Sequence, residues 1–245
     1  MRVWRRRLRL AVLALVGFLP GPLKRPLYRF LFGYRIARGV KIGIVLLDAG
    51  RVDLGEGTAI GHFNLILRVG ELKTGRNVVI GPLNIIRGGE RVHLADYVTI
   101  MRLNVLNAIP DHDCTTSPVS ELRLGAGAIV VSGHRIDFTD TVHIGRNVIL
   151  GGRNSSLWTH NRQRTAPIAI GDFCYLGSEI RMAPGSRLPP ETIVAIGSVV
   201  SGEVVEARCL VGGVPARVVR PLAPPDLELV HRKTRDDIPD DLYDA

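Results

Sequence analysis

The chain has 245 residues, 46% hydrophobic and 22% charged, with a formal net charge of +9, a composition that fits one soluble domain with a sizeable core. Its three cysteines, Cys114, Cys174 and Cys209, are odd in number and lack metal or redox spacing. That excludes a disulfide framework and suits a reducing compartment.

The first 38 residues hold ten Lys and Arg and no acid, so this segment carries +10 and the rest of the chain −1. Between the charges lies the apolar run Leu10 to Leu19, closed by "PGP" and followed by "LYRFLFGY". Ten residues are too few to span a bilayer. No small-x-small cleavage site follows, and the next stretch is again basic and aromatic, unlike a signal peptide. Residues 1–35 therefore read as a helical segment that forms an interfacial or re-entrant anchor on an anionic cytoplasmic leaflet, aliphatic stretch and basic flank acting together. Nucleic acid is not the expected partner, because the interleaved residues are Leu, Val and Phe with no fingerprint of a reading module.

From Ile36 to Val200 an aliphatic residue recurs every six positions: Ile36, Ile42, Asp48; Leu54, Ile60, Ile66; Thr74, Ile80, Ile86; Leu94, Ile100, Leu106; Leu124, Val130, Ile136; Ile144, Leu150, Ser156; Ile170, Leu176, Met182; Leu188, Val194, Val200. Only Asp48, Thr74 and Ser156 break the frame, whereas chance would fill about half of it. A hexad supplies one short strand and one turn, and three hexads close a triangular coil with the aliphatic residue inward. The fold class is therefore all-β: a parallel β-helix of about eight coils over 36–220, on the order of 35 to 40 Å long at the usual strand spacing. The turns "LGEG", "TGRN", "LGAG" and "IGRN" agree, placing Gly or Asn where a corner needs positive φ.

The spacing across the third corner of successive coils stretches to eighteen residues between Leu106 and Leu124 and to fourteen between Ser156 and Ile170. All insertions are thus expected on one edge, which is where a site belongs. A second register, two residues before the third inward position, holds Asn64, Asn84, Asn104, His134 and Asn154. Stacked asparagines tie backbone turns together, and His134 interrupts them one coil before the loop bearing His160. The tail, 221–245, is Pro-rich and then acidic and has no hexads; it is expected to be a short helix or a loose segment.

The stretch "IGDFCYLGSEIRMAPGSRLPPETIVAIGSVVSGEV", followed by "GVPARVVR", resembles the hexapeptide-repeat acyltransferases, especially galactoside and maltose O-acetyltransferases and their relatives in polysaccharide clusters. The resemblance is specific from Ile144 to Arg220 and in frame from Ile36. It implies a left-handed coil, a homotrimer, and acetyl coenzyme A bound between neighbouring prisms. It also implies that His160, in "WTHNRQRTAPIAIG", is the general base for an acceptor hydroxyl, a poor nucleophile until its proton is taken. His134 falls near a site-shaping Asn of the family and Asp137 near an acceptor-binding Asp, and His134 is expected to meet His160 across a subunit interface. Ser178 and the line Ala195, Ile196, Gly197 match positions along the pantetheine arm, with Ser201 beyond them. Arg217 and Arg220 match a basic pair suited to the coenzyme phosphates. Ser201-Gly202 stands where the family often has Thr-Lys. Asn154 and His112 are the remaining candidates for acceptor contact.

The expected reaction is therefore acetyl transfer from acetyl coenzyme A to a hydroxyl of a sugar or glycan, at the cytoplasmic face of a membrane. Two other readings compete. The same prism carries zinc carbonic anhydrases, but those need three converging histidines, two close in sequence, and the seven histidines here offer no such pair. "PDHDC" is the nearest thing to a metal cluster, and consecutive residues do not easily face one ion, so no metal is expected. A non-catalytic scaffold would keep the prism without His160 and the "GVPARVVR" segment.

Overall fold

The computed structural model describes residues 2–109 and 119–243. From Arg35 onward it is a parallel β-solenoid of eight triangular coils, each strand pairing with its counterpart one coil on. The first face stacks Ile36, Leu54, Thr74, Leu94, Leu124, Ile144, Ile170 and Leu188. The second stacks Ile42, Ile60, Ile80, Ile100, Val130, Leu150, Leu176 and Val194. The third stacks Leu47, Ile66, Ile86, Leu106, Ile136, Leu157, Met182 and Val200. With few exceptions these side chains are fully buried and form one continuous core. Each removes enough apolar surface from water to contribute on the order of 2 kcal/mol.

Two of the three apparent breaks in the hexad frame are slips of register. In coil 1 the inward residue is Leu47, and its neighbour Asp48 turns outward to accept from Arg9 Nε at 3.0 Å. In coil 6 it is Leu157 rather than Ser156, because the second corner holds one residue more than in coil 5. Insertions are therefore not confined to the third corner. Thr74 does point inward, where its hydroxyl meets that of Thr58 at 2.9 Å and accepts from Gly55 N at 2.9 Å. A buried hydroxyl is tolerated there because it is hydrogen-bonded.

Helices α1 (Arg2–Phe18) and α2 (Gly21–Phe32) close the first coil. Leu13, Val16, Tyr28 and Tyr34 join the prism core, and Arg9 also reaches Tyr34 Oη and the Ala49 carbonyl. Helix α1 lies against Val45 at Gly17, where a Cβ would fall 2.4 Å from the Val45 carbonyl oxygen.

At the other end, Cys209–Gly213 adds a ninth strand to the second face and pairs antiparallel with Ala216–Pro221. The tail is folded. Helix α3 (Pro224–His231), the segment after it and α4 (Asp240–Tyr243) pack along the first corner. Asn147 Nδ2 donates to the Arg232 carbonyl (3.0 Å), Thr234 Oγ1 to the Gly127 carbonyl (2.6 Å) and Arg235 Nη1 to the Asn77 carbonyl (2.9 Å). Tyr243 then returns to sit edge-on to Phe173.

Candidate active site

The site is built where third-face strands leave for the loop edge. Arg135–Asp137 and Ser156–Trp158 pair in register, setting Asp137 beside Trp158 in the next coil. The chain then forms a small hairpin: His160 bridges Thr165 in antiparallel fashion, Ala166 N donates to the Thr159 carbonyl (2.8 Å), and Asn161 Oδ1 caps the tip by accepting from Gln163 N and Arg164 N. The hairpin holds His160 at its base rather than on a free tip. There its Nδ1 hydrogen-bonds to Asp137 Oδ2, with the imidazole 19% exposed and the carboxylate 1%.

The carboxylate is fixed from the other side as well. Its Oδ1 accepts from Thr139 N (3.0 Å) and Thr139 Oγ1 (2.6 Å), while the Thr159 hydroxyl lies 3.1 Å from the Asp137 carbonyl and 3.4 Å from Oδ2. The described ends of the long loop are moored to the same turn, Ile109 N donating to Thr139 Oγ1 (2.9 Å) and Ser120 Oγ to the Thr139 carbonyl (2.8 Å). A buried acceptor on Nδ1 selects the tautomer that carries its lone pair on Nε2, and it stabilises the imidazolium that forms when Nε2 takes a proton. Sequence reasoning misses Thr139 and Thr159; the local signals are "DFT" and "WTH", the first threonine two residues after Asp137 and the second beside His160, with its hydroxyl reaching Asp137 in the coil before.

His134 does not join this pair. It is a rung of the ladder at the second corner, where Asn84 N, Asn104 N and His134 N donate to the side-chain oxygens of Asn64, Asn84 and Asn104 at 2.8 to 2.9 Å. Its Nδ1 accepts from Ser155 N at 3.2 Å, and Ser155 Oγ in turn accepts from Ile180 N at 3.1 Å. Enclosed at 1% exposure in its own corner, the ring cannot reach a His160 across an interface. Burial pushes its pKa down to about 4, the Leu150 carbonyl partly opposing, and an imidazole in such a place stays neutral. The next rung is Ser155, not Asn154. Asn154 holds the positive-φ corner position just before that rung, as Leu103 and Gly133 do in earlier coils, exposed at φ 61° with its carbonyl accepting from Arg181 Nη1 at 2.5 Å.

Ser178 and the line Ala195, Ile196, Gly197 occupy the second corner of coils 7 and 8, joined by Gly197 N donating to the Ser178 carbonyl (3.0 Å). No atom lies within 4 Å of where a Cβ on Gly197 would be, so the backbone there is open to close approach. Gly212, opposite Arg217 in the terminal hairpin, lies beside Ala195. Arg217 is exposed and donates to the neighbouring Ala216 carbonyl (2.8 Å), whereas Arg220 is engaged by Asp226 at 2.6 Å, the residue whose carboxylate caps α3 at Ala223 N. Ser201 lies on the loop edge, away from the Ser178 line. His112 falls outside the described residues. Among the described residues no group of three or more His, Cys, Asp or Glu could hold a metal ion.

No protein-family model matches the chain. The fold is that of the hexapeptide-repeat transferases. The Arabidopsis UDP-N-acetylglucosamine acyltransferase aligns at 15% identity over 80% of this chain and 73% of its own, with a TM-score of 0.54. A polysialic acid O-acetyltransferase aligns at 19% identity over 77% and 84%, with a TM-score of 0.50. A hexapeptide-repeat acetyltransferase from Vibrio cholerae, solved with acetyl coenzyme A, aligns at 18% identity over 91% and 90%, with a TM-score of 0.41.

Proposed function

We propose that the chain is an acyltransferase that moves an acetyl group from acetyl coenzyme A to a hydroxyl of a sugar or glycan, with His160 as general base. The observation that carries this reading is the hydrogen bond between His160 Nδ1 and the buried carboxylate of Asp137. Bound acetyl coenzyme A would supply the acyl carbonyl and a thiol leaving group. His160 Nε2 takes the acceptor proton as the hydroxyl oxygen bonds to that carbonyl carbon, and returns it to sulfur as the carbon–sulfur bond breaks. Asp137 keeps the imidazole oriented and offsets its transient charge. Thr139 and Thr159 keep the carboxylate in place.

The open backbone at Gly197, the small side chains of Ser178 and Ala195, and the exposed Arg217 suit a pantetheine arm and its phosphates. In one chain they lie at the second corner and His160 at the third. A homotrimer that sets the second corner of one chain against the third corner of its neighbour would complete the site, and we assign the cleft between copies to the coenzyme. Helices α1 and α2 would hold the enzyme peripherally on the anionic cytoplasmic face of a membrane. Trp4, Leu8, Ala11 and Leu15 form an exposed stripe at helical spacing on α1, Phe18 stands exposed at its end, and Leu23 and Phe30 are exposed on α2. No described helix is long and apolar enough to cross a membrane.

The test is transfer from labelled acetyl coenzyme A to a panel of nucleotide-linked and lipid-linked sugars, beside His160→Ala. Transfer that falls about 10²- to 10⁴-fold in the variant, with coenzyme binding retained, supports the reading. Transfer undiminished in the variant overturns His160 as base, and absence of both coenzyme binding and transfer moves the chain to the non-catalytic scaffold.

A further inference from the structure

Two openings of different character adjoin where α2 and α1 meet the first two coils. One, of about 330 Å³, is basic: Lys24, Arg25, Lys41 and His62 line it together with the backbone of Gly43 and Gly61. The Lys24 side chain is enclosed there, its ammonium donating to the Ile42 carbonyl (3.1 Å) and to that of Gly43. His62 Nδ1 accepts from Ile44 N at 3.1 Å, which leaves its proton on Nε2 as a donor. The other opening, also about 330 Å³, is almost wholly apolar and is lined by Ala14, Phe18, Ile44, Leu46, Phe63 and Leu65. The consecutive pairs Gly43–Ile44 and His62–Phe63 each give one residue to each opening, and Phe18 and Gly21 flank the α1–α2 turn in the same way. The two share a wall.

Phe63 walls the apolar opening at 58% exposure, at the positive-φ corner position that Leu83 and Leu103 hold in the next two coils, so its side chain is open to a ligand. A ligand with an anionic head and an aliphatic chain matches the pair of openings, and the +10 charge of the first 38 residues, with no acid among them, favours a lipid of an anionic bilayer over a neutral one.

We infer that each chain binds one anionic phospholipid, its phosphate between Lys41, Arg25 and His62 and an acyl chain in the cleft between α1 and Phe63. The inference rests on the membrane-docking part of the proposed function and deepens it, from a surface that lies on a bilayer to a discrete site that takes up one lipid.

The experiment is saturable binding of dihexanoyl phosphatidylglycerol, below its micellar concentration, to the full-length protein by native mass spectrometry. Dihexanoyl phosphatidylcholine and inorganic phosphate serve as parallel ligands. One phosphatidylglycerol per chain is expected, held about tenfold more tightly than phosphatidylcholine, with inorganic phosphate alone not retained. Lys41→Glu with Arg25→Glu should weaken binding about tenfold or more, and Ala14→Trp, which fills the cleft without changing charge, by a similar factor. Arg6→Glu with Arg7→Glu, the same charge change on the exposed side of α1, should leave it nearly unchanged, and retained coenzyme A binding reports that each variant is folded. No saturable lipid binding, equal retention of inorganic phosphate, or binding untouched by both pocket variants overturns the site. A second copy covering the cleft would appear as the first of these. Flotation with anionic vesicles is scored separately: flotation without saturable lipid binding leaves the docking surface standing and removes the site, and saturable binding without flotation does the reverse.

Discussion

The third face of the prism carries a histidine near each of its two corners, and the two are used in opposite ways. His134, at the ladder corner, spends its Nδ1 on a backbone N–H and is buried with the neutral charge state enforced. His160, at the loop edge, spends its Nδ1 on a buried carboxylate and remains partly open to solvent. Full burial together with a backbone donor on Nδ1 makes His134 part of the scaffold, whereas a buried carboxylate on Nδ1 of a partly open ring suits His160 to the proton transfer proposed for it. Residue type alone does not separate them; the partner of Nδ1 and the exposure of the ring together do.

Substitutions sharpen the comparison. The largest effect is expected at His160, where alanine should lower transfer about 10³-fold while leaving thermal stability and coenzyme affinity near those of the native protein. Asp137→Asn should come next, lowering kcat about 10²-fold with little change in coenzyme KM, because it spoils the tautomer rather than the binding surface. If it alters KM alone, Asp137 belongs to acceptor binding instead. His134 should behave otherwise. Its folded pKa of about 4 lies below the ordinary 6.5, so between those values the unfolded chain binds more protons than the folded one and stability falls as pH falls. The loss should reach about 2 kcal/mol by pH 5 in denaturant titrations, and His134→Asn, which restores the residue type of the preceding rungs, should flatten that slope without abolishing transfer. The smallest effect separates the two readings of the next rung: Ser155→Ala should cost about 1 kcal/mol through its lost bond to Ile180 N, whereas Asn154→Gly should lie within about 0.5 kcal/mol of neutral.

The coil repeat was legible because few folds besides a triangular coil bury an aliphatic residue every six positions, and the Gly and Asn corners agreed with it. The slips at Asp48 and Ser156 were not. In each case the true inward residue is an adjacent leucine, and a strict count passes over Leu47 and Leu157 when a corner loses or gains one residue. The second slip also displaced the fifth rung of the ladder from Ser155 to Asn154. His160 could be singled out as a candidate only through the family resemblance of its setting, "WTH" before the next hexad. Its pairing with Asp137 could not, because 23 residues separate them and only the register of two neighbouring coils sets Asp137 beside Trp158. Arg220 illustrates a further limit, since its pairing with Asp226 depends on where the tail folds back.

That tail bears on how the molecule comes apart. In a solenoid each coil touches only the coil before and the coil after, so stability propagates as through a row of dominoes and the ends fray first. Here a single short segment is bonded to Asn77, Gly127 and Asn147, residues of the third, fifth and sixth coils. It ties non-adjacent members of the row together, so the middle coils must loosen as a group or not at all. Severed from its last two dozen residues, the same prism would regain the freedom to unzip one rung at a time.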